Sequence, residues 1–148
     1  MKAGLIGIGS MGMAMALNLH RKGLQVCAHD IRPEAMQSAS AAGISVCASP
    51  AELAHQTNLI IVVVVNAKQV NEVLFGEHGV TRVPCEGKTV MLCPTIAPED
   101  TLAIAEQLTK LGLTVIDAPI SGGPVRAEAG TMSIMLAGAD EVLSLIHI

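Results

Sequence analysis

The chain has 148 residues, of which 51% are hydrophobic and 15% charged, and its formal net charge is −4. A chain of this length makes about one domain with a substantial core, and its negative charge argues against a nucleic-acid partner. Its one aromatic residue, Phe75, provides no platform for stacking bases, so the core must come from aliphatic side chains.

Short aliphatic segments alternate with segments of helical periodicity. The predicted strands are residues 3–8, 25–30, 45–47, 59–65, 89–93 and 114–116, with a further candidate at 132–137. The predicted helices, mostly begun by Pro or a capping residue and followed by Gly, are residues 10–22, 33–42, 50–57, 68–75 and 98–111. This order is typical of βαβ units. We therefore predict an α/β fold of the Rossmann type, a doubly wound, mostly parallel sheet with helices on both faces.

The longest aliphatic run, residues 59–65, is much shorter than the about 20 residues that a membrane span needs. The cysteines show neither C-x-x-C spacing nor a histidine at metal-ligand spacing. We therefore expect a cytoplasmic protein with reduced thiols and with no membrane contact, disulfide or metal site.

A glycine-rich turn joins the first predicted strand to the first predicted helix. It has the pattern G-x-G-x-x-G and consists of Gly7, Ile8, Gly9, Ser10, Met11 and Gly12. In this context Gly7 allows a tight turn, Gly9 leaves room for a pyrophosphate, and Gly12 lets the helix approach the strand. We predict that the turn binds the phosphates of a dinucleotide.

An acidic residue, Asp30, ends the second predicted strand. A carboxylate at this distance from the turn accepts the ribose hydroxyls of NAD and repels the 2′-phosphate of NADP. Arg32, which follows, would either bind that phosphate or only face solvent. We place both residues in the cofactor site, predict NAD, and leave NADP open.

Polar segments follow the fifth and sixth predicted strands: Thr95, and then Ser121, Gly122 and Gly123. The carboxyl ends of parallel strands are where such sheets bind ligands, and a hydroxyl with unhindered N–H groups suits a small carboxylate. The same composition is also ordinary turn chemistry. On the residues alone, both interpretations stand.

Taken together, these segments resemble the β-hydroxyacid dehydrogenases, the 3-hydroxyisobutyrate dehydrogenase family. Residues 6–12, continuing through Met15 to Asn18 and Leu19, are similar to the opening signature of that family. Residues 95–98 and 117–123, followed by residues 130–132, are similar to its later motifs. The resemblance extends to about residue 140.

The resemblance implies that Thr95 contacts the nicotinamide side of the cofactor and that residues 121–123 hold the substrate carboxylate. We also expect Val65 and Asn66 to bind the cofactor. The segment around them is most similar to the family members that act on L-threonate, which makes a small sugar acid the expected substrate.

The family implies an oxidoreductase that transfers a hydride between a small hydroxy acid and NAD, with homo-oligomers expected. Its members continue into an all-helical C-terminal domain that supplies a catalytic Lys, and no lysine of this chain matches that motif. We therefore expect no catalytic residue within this chain and an inactive fragment. Residues 143–148 read as the translation of a transposon end used in sequencing libraries. We expect a dinucleotide-binding domain at 1–142 and a non-native tail at 143–148.

Two other functions share part of the pattern. A non-catalytic NAD(P)-binding module or sensor needs only the glycine turn and Asp30. A methyltransferase has a similar glycine-rich first turn and an acidic residue after the second strand. Gly12 and residues 121–123 favour the dehydrogenase.

Overall fold

A computed structural model describes residues 1–139 of the chain, in which strands and helices alternate. The main sheet consists of β1 (Lys2–Ile6), β2 (Gln25–His29), β3 (Ser45–Val46), β4 (Leu59–Val62), β5 (Thr89–Leu92) and β6 (Thr114–Asp117). The helices are α1 (Ser10–Arg21), α2 (Pro33–Ala41), α3 (Pro50–Gln56), α4 (Ala67–Phe75), α5 (Pro98–Lys110) and α6 (Gly123–Ala129), with a 3-10 helix at Val80–Arg82. Two short strands, β7 (Ile120–Ser121) and β8 (Ser133–Ile134), form a separate antiparallel pair.

The strand order of the main sheet is β3-β2-β1-β4-β5-β6, and every pairing is parallel. The order reverses at β1, whose last residue, Ile6, is in register with His29 of β2 and Val62 of β4. In sheets of this kind a ligand crevice opens at the carboxyl ends of the strands where the order reverses. The predicted Rossmann-type fold is confirmed.

Helices cover both faces of the sheet. On one face, α3, α4 and α5 contribute large buried side chains such as Leu53, Leu74 and Ile104. On the other face, α1 and α2 pack through residues such as Met15 and Ala39. Because the central strands are buried on both sides, their sequences show no alternation of polar and apolar residues.

Several predicted boundaries differ from the structure. The strands predicted at 3–8 and 59–65 end at Ile6 and Val62, since Gly7 turns the chain and residues 63–65 leave the sheet. The candidate strand at 132–137 is reduced to β8, and Ala137 makes only an isolated bridge to Asp117. The predicted domain boundary at residue 142 and the predicted tail at 143–148 lie outside the described residues.

Residues 121–123, a segment for which the sequence left ordinary turn chemistry open, lie partly in regular secondary structure. Ser121 ends β7, Gly122 precedes α6, and Gly123 is the first residue of that helix. The signal was hidden because α6 contains Pro124 and begins with glycines, which are typical of turns. Gly122 and Gly123 have φ angles of +127° and +73°, a region that glycine adopts without strain.

The four cysteines are buried and unpaired. Burial, aided by a neighbouring negative charge, raises the pKa of Cys47 and of Cys93 to about 12, so these thiols are poor nucleophiles at neutral pH. No helix within residues 1–139 has the length and hydropathy of a membrane span.

Candidate functional site

The glycine turn lies where the strand order of the sheet reverses. Gly7 follows β1 with a φ of +89°, and its N–H donates to the carbonyl oxygen of His29 over 2.9 Å. A Cβ at Gly7 would overlap the carbonyl oxygen of Val63, beyond the end of β4. The turn is therefore packed between the ends of β2 and β4, and only glycine fits at its first position.

The other two glycines of the turn serve different purposes. A Cβ at Gly12 would overlap the carbonyl oxygen of Gly7, so the close approach of α1 to β1 requires glycine there. Around Gly9 the nearest atom to such a Cβ is a guanidinium nitrogen of Arg32, 3.8 Å away. Gly9 also has an extended backbone, with φ −65° and ψ −164°, which any residue adopts. Nothing within the described protein requires glycine at position 9, and the empty space beside it faces the crevice.

The backbone of the turn presents N–H donors to the crevice. Gly9 is the residue before α1, and the first intrahelical bond runs from the Met13 N–H to the Gly9 carbonyl over 2.8 Å. The preceding N–H groups at the start of a helix have no intrahelical acceptor and bind anions readily. The side chains of Ile8 and Met11 belong to the core or pack against it, and Ser10 is exposed. Ile8 and Met11 can therefore contribute only their backbone to a ligand.

Asp30 follows β2 and connects it to the glycine turn. Its carboxylate accepts the N–H of Ile8 over 2.9 Å and the N–H of Arg32 over 2.9 Å. The guanidinium of Arg32 donates to both carboxylate oxygens, over 3.0 and 3.1 Å. The side chain of Asp30 is 6% exposed and that of Arg32 is 50% exposed. The two residues that the sequence placed at the ribose thus form an ion pair with each other.

The hydrogen bonds at Asp30 determine its ionisation. Burial alone would raise the pKa of this carboxyl, but the hydrogen bonds from Arg32 and from the Ile8 N–H outweigh it, and the pKa lies below its usual value. The same ion pair raises the pKa of Arg32. Asp30 is therefore negatively charged at neutral pH, as a partner of ribose hydroxyls must be.

A cavity of about 430 Å³ opens beside the turn and Asp30. Its lining combines the ends of β1, β2 and β4 with one side of α4: Ile6, Gly7, Gly9, His29, Asp30, Ile31, Arg32, Val63, Val64, Val65, Gln69, Glu72 and Val73. Ile31 and Val65 are apolar residues at its rim, 85% and 79% exposed. The cavity therefore offers apolar surface next to a carboxylate and a row of N–H groups.

The residue-based prediction found only part of this lining. It included Val65 but missed Ile31 and the α4 residues Gln69, Glu72 and Val73. A signal was available, because Ile31 is an isolated apolar residue between Asp30 and Arg32, just beyond the end of β2. The helical residues could not be found without knowing which side of α4 faces the crevice.

Asn66, predicted to bind the cofactor, has a local role in the structure. Its side chain accepts the N–H of Gln69 over 2.9 Å and so caps α4. The amide oxygen of Gln69 in turn accepts the N–H of Val65 over 2.8 Å. Asn66 is exposed and is not among the residues that line the cavity.

The remaining predicted residues lie at the same edge of the sheet, beyond its other strands. Thr95 is exposed in the segment between β5 and α5, and Ser121 is exposed at the end of β7, shortly after β6. Because all six strands are parallel, Thr95 and Ser121 share the carboxyl edge with the glycine turn. They do not line the 430 Å³ cavity.

Of the histidines that the structure describes, His29 is the one that lines the cavity. Its Nδ1–H donates to the carbonyl oxygen of Cys47 over 2.9 Å, and the side chain is buried. This bond joins β2 to the segment after β3, so His29 has a structural role. Among residues 1–139, no group of acidic, histidine and cysteine side chains is arranged to hold a metal ion.

The chain is similar in sequence to several known proteins. Residues 2–147 match the family described as the NAD binding domain of 6-phosphogluconate dehydrogenase. The chain is 42% identical to an L-threonate dehydrogenase from Cupriavidus necator over 142 residues, which cover 96% of this chain and 48% of the relative. It is 39% identical to a 2-hydroxy-3-oxopropionate reductase from Escherichia coli over 146 residues, 99% of this chain and 50% of the relative.

A similar structure is known as well. The crystal structure of a 3-hydroxyisobutyrate dehydrogenase from Salmonella typhimurium superimposes with a TM-score of 0.90 at 38% identity, covering 97% of this chain and 50% of that one. The chain thus spans about half the length of the proteins that it matches.

Proposed function

Because this chain belongs to the NAD-binding domain family of 6-phosphogluconate dehydrogenase, within the 3-hydroxyisobutyrate dehydrogenase group, we propose that it is the cofactor-binding half of an oxidoreductase. The full protein would transfer a hydride between the carbinol carbon of a small hydroxy acid and a nicotinamide cofactor. L-threonate or a related sugar acid is the proposed substrate, since the matched relatives include L-threonate dehydrogenases. The family match also favours a dehydrogenase over a methyltransferase.

The observation that carries the proposal is the free space at Gly9. Gly7 and Gly12 are required by contacts within the protein, whereas among residues 1–139 the space beside Gly9 is bounded only by Arg32 at 3.8 Å. A glycine that the fold does not require, placed among free N–H groups at the start of α1, fits a pyrophosphate. The residues present therefore fit a dinucleotide, held by residues 7–12 of the turn.

At the ribose, Asp30 is proposed to accept hydroxyl hydrogens. It is ionised and positioned by the Ile8 N–H. Arg32 occupies both of its oxygens, so NAD binding requires the guanidinium to move aside. Arg32 would be equally placed to meet a 2′-phosphate, which is why the proposed cofactor is NAD with NADP as the competitor.

The remaining roles rest on the family resemblance, and the position of these residues at the carboxyl edge of the sheet supports them. We assign the exposed rim at Val65, with Asn66 beside it, to the adenosine side of the cofactor and Thr95 to its nicotinamide side. Ser121 is assigned to the substrate carboxylate, with its hydroxyl and the N–H groups of Gly122 and Gly123 as donors. The proton-transferring group is proposed to lie outside this chain, on the half that the relatives possess in addition.

Four further features of the protein remain proposals. We assign residues 1–142 to the dinucleotide-binding domain and residues 143–148 to a non-native tail. The cytoplasm is the proposed location, and a homo-oligomer is the proposed state of the full protein. A non-catalytic NAD(P)-binding module is the competing function, and the following experiment separates the two.

The experiment compares this chain with a version extended to the full length of its relatives. Each is assayed for NADH production with L-threonate, 3-hydroxyisobutyrate and glycerate. We expect the extended protein to oxidise at least one of these acids and the 148-residue chain to oxidise none, because a general acid or base supplies about 10²–10⁴-fold of rate. In the extended protein, S121A should raise the KM of the acid about tenfold or more, since a hydrogen bond to a charged group is lost.

Two results would contradict this account. Turnover by the 148-residue chain alone would place the catalytic group within it. An extended protein that binds NADH and oxidises none of the acids would be a binding module, and the dehydrogenase function would be withdrawn.

A further inference from the structure

Asn18 lies near the end of α1 that is far from the glycine turn. It is half-buried, and its Nδ2 donates to the carbonyl oxygen of Glu128 over 2.9 Å. Glu128 lies in the last turn of α6. A side chain of the cofactor helix is therefore hydrogen-bonded to the backbone of the helix that begins with Gly123.

The bond satisfies a carbonyl group that the end of α6 leaves without a partner. Helices leave their last carbonyl oxygens without intrahelical donors. At the end of α6 the N–H of Gly130 donates to the carbonyl oxygen of Ala127 over 3.2 Å. The N–H of Thr131 donates to the carbonyl oxygen of Arg126 over 2.8 Å. The carbonyl oxygen of Glu128 accepts a hydrogen bond from Nδ2 of Asn18.

The carboxamide of Asn18 packs against the backbone of Gly130, where a side chain would have little room. Its φ is +71°, in the left-handed region, and a Cβ there would lie 3.1 Å from Nδ2 and 3.3 Å from Oδ1 of Asn18. Glycine at this position therefore avoids strain and leaves the room that the carboxamide needs.

The end of α6 is connected to Ser121 by a short path. After Gly130 the chain enters β8, in which Ser133 is in register with Ser121 of β7. A shift of the Gly130 turn would therefore move β8, and β7 with it. Asn18 lies at one end of this path and Ser121 at the other.

We propose that Asn18 is a positioning residue, which fixes Ser121, Gly122 and Gly123 relative to the cofactor helix through its bond to Glu128. The inference rests on the proposed function, because it takes α1 as the cofactor helix and Ser121 as a substrate contact.

A second link between the helices provides the control. Nη2 of Arg21 lies 2.8 Å from the Glu128 carboxylate, with both side chains 54% exposed. Ion pairs this exposed contribute little. R21A thus removes a contact from the same two helices while leaving the Asn18 bond intact.

The test compares backbone amide spectra and hydrogen exchange of the 148-residue chain with those of N18D and R21A. N18D keeps the shape of the side chain but has no donor at neutral pH. We expect it to shift the amide signals of residues 121–123 and to speed exchange at Gly130 and Thr131 about tenfold. Signals of residues 7–12 and the affinity for NADH should stay unchanged, and R21A should leave all of these signals in place.

Unchanged signals at residues 121–123 in N18D, or equal shifts in R21A, would overturn the proposal. If N18D loses protection throughout the sheet, N18A removes the same donor without adding a charge and should produce the same selective shifts. In the extended protein, N18D should raise the KM of the hydroxy acid and leave that of NAD unchanged. If the wild-type chain failed to bind NADH, the result would count against the proposed function. The amide spectra test the Asn18–Glu128 bond and its effect on residues 121–123 separately.

Discussion

The carboxylate of Asp30 accepts the backbone N–H of Ile8 over 2.9 Å, which ties the end of β2 to the glycine turn after β1. The same carboxylate is paired with the guanidinium of Arg32 through both oxygens. Asp30 therefore has two proposed functions. It holds the glycine turn in place, and its negative charge opposes the binding of a 2′-phosphate, which Arg32 would favour.

The first prediction concerns that choice. We expect the wild-type chain to bind NADH more tightly than NADPH, because Asp30 repels a 2′-phosphate. D30N keeps an acceptor for Ile8, removes the negative charge and releases Arg32, so the NADPH-to-NADH affinity ratio should rise about tenfold or more. R32A should lower the affinity for NADPH and raise that for NADH, because it frees the Asp30 oxygens that Arg32 occupies.

Calorimetric titration of each variant with both cofactors measures these ratios. R21A, an arginine substitution at the far end of α1, serves as the control and should leave both affinities unchanged. A wild-type chain that binds NADPH as tightly as NADH would mean that Arg32 outweighs Asp30.

The second prediction concerns the pH dependence of stability that Asp30 causes. The pKa of its carboxyl is lowered in the folded protein. Above the pKa of the unfolded chain, about 3.9, the ionised carboxylate therefore stabilises the folded state. This stabilisation is lost as the pH falls through the pKa of the folded protein. D30N should therefore be less stable than wild type at pH 7, and the difference should shrink below about pH 4. Urea unfolding followed by circular dichroism at several pH values measures it. A difference that stays constant with pH would refute the role of the charge.

Asp117, at the end of β6, should behave in the opposite way. Burial raises the pKa of its carboxyl, although the N–H of Ala118 partly offsets the effect. Ionisation of Asp117 then lowers the free energy of unfolding above about pH 4. It has no effect at a pH low enough for the carboxyl to be protonated in both the folded and the unfolded protein. The third prediction is that D117N is more stable than wild type at pH 7 and equal to it at pH 3. Reduced stability of D117N at pH 7 in the same urea series would contradict this assignment.

The fourth prediction separates the glycines of the turn. A Cβ at Gly12 overlaps the Gly7 carbonyl, and overpacking of this kind costs about 1–3 kcal/mol. G12A should therefore lower the free energy of unfolding by that amount, while G9A should change it by less than about 0.5 kcal/mol. Urea unfolding of both variants at neutral pH checks the difference, and equal losses would mean that Gly9 is also required by the fold.

Much of the fold was predictable from local signals. The β1–Gly7 junction and the helices that begin at Pro33, Pro50 and Pro98 follow from glycine and proline chemistry, and these boundaries agree with the structure to within about two residues. The extent of β4 was not predictable, because Val63 to Val65 are as apolar as the strand before them. They leave the sheet to line the cavity, which only the tertiary structure decides.

The site was predictable where a residue type is tied to one backbone position. The glycine turn and Asp30 are of this kind, and the structure brings them together. The pairing of Arg32 with Asp30 depends on the side-chain conformation of Arg32, which no pattern encodes. The capping role of Asn66 was visible in principle, since Gln69 follows at the spacing of a cap. The contact of Asn18 with Glu128 joins residues far apart in the sequence, so it could not be inferred locally.

The central claim, that the chain binds a dinucleotide across the Gly9 turn, is tested most directly by calorimetric titration of wild type and G9V with NADH. Gly9 has an allowed backbone for any residue and open space around it, so G9V should fold like wild type. Its side chain would fill the space beside the helix N-terminus that the pyrophosphate needs. The account predicts saturable binding of one NADH by the wild-type chain and none by a folded G9V variant. Equal NADH binding by both proteins, or no binding by wild type, would contradict it.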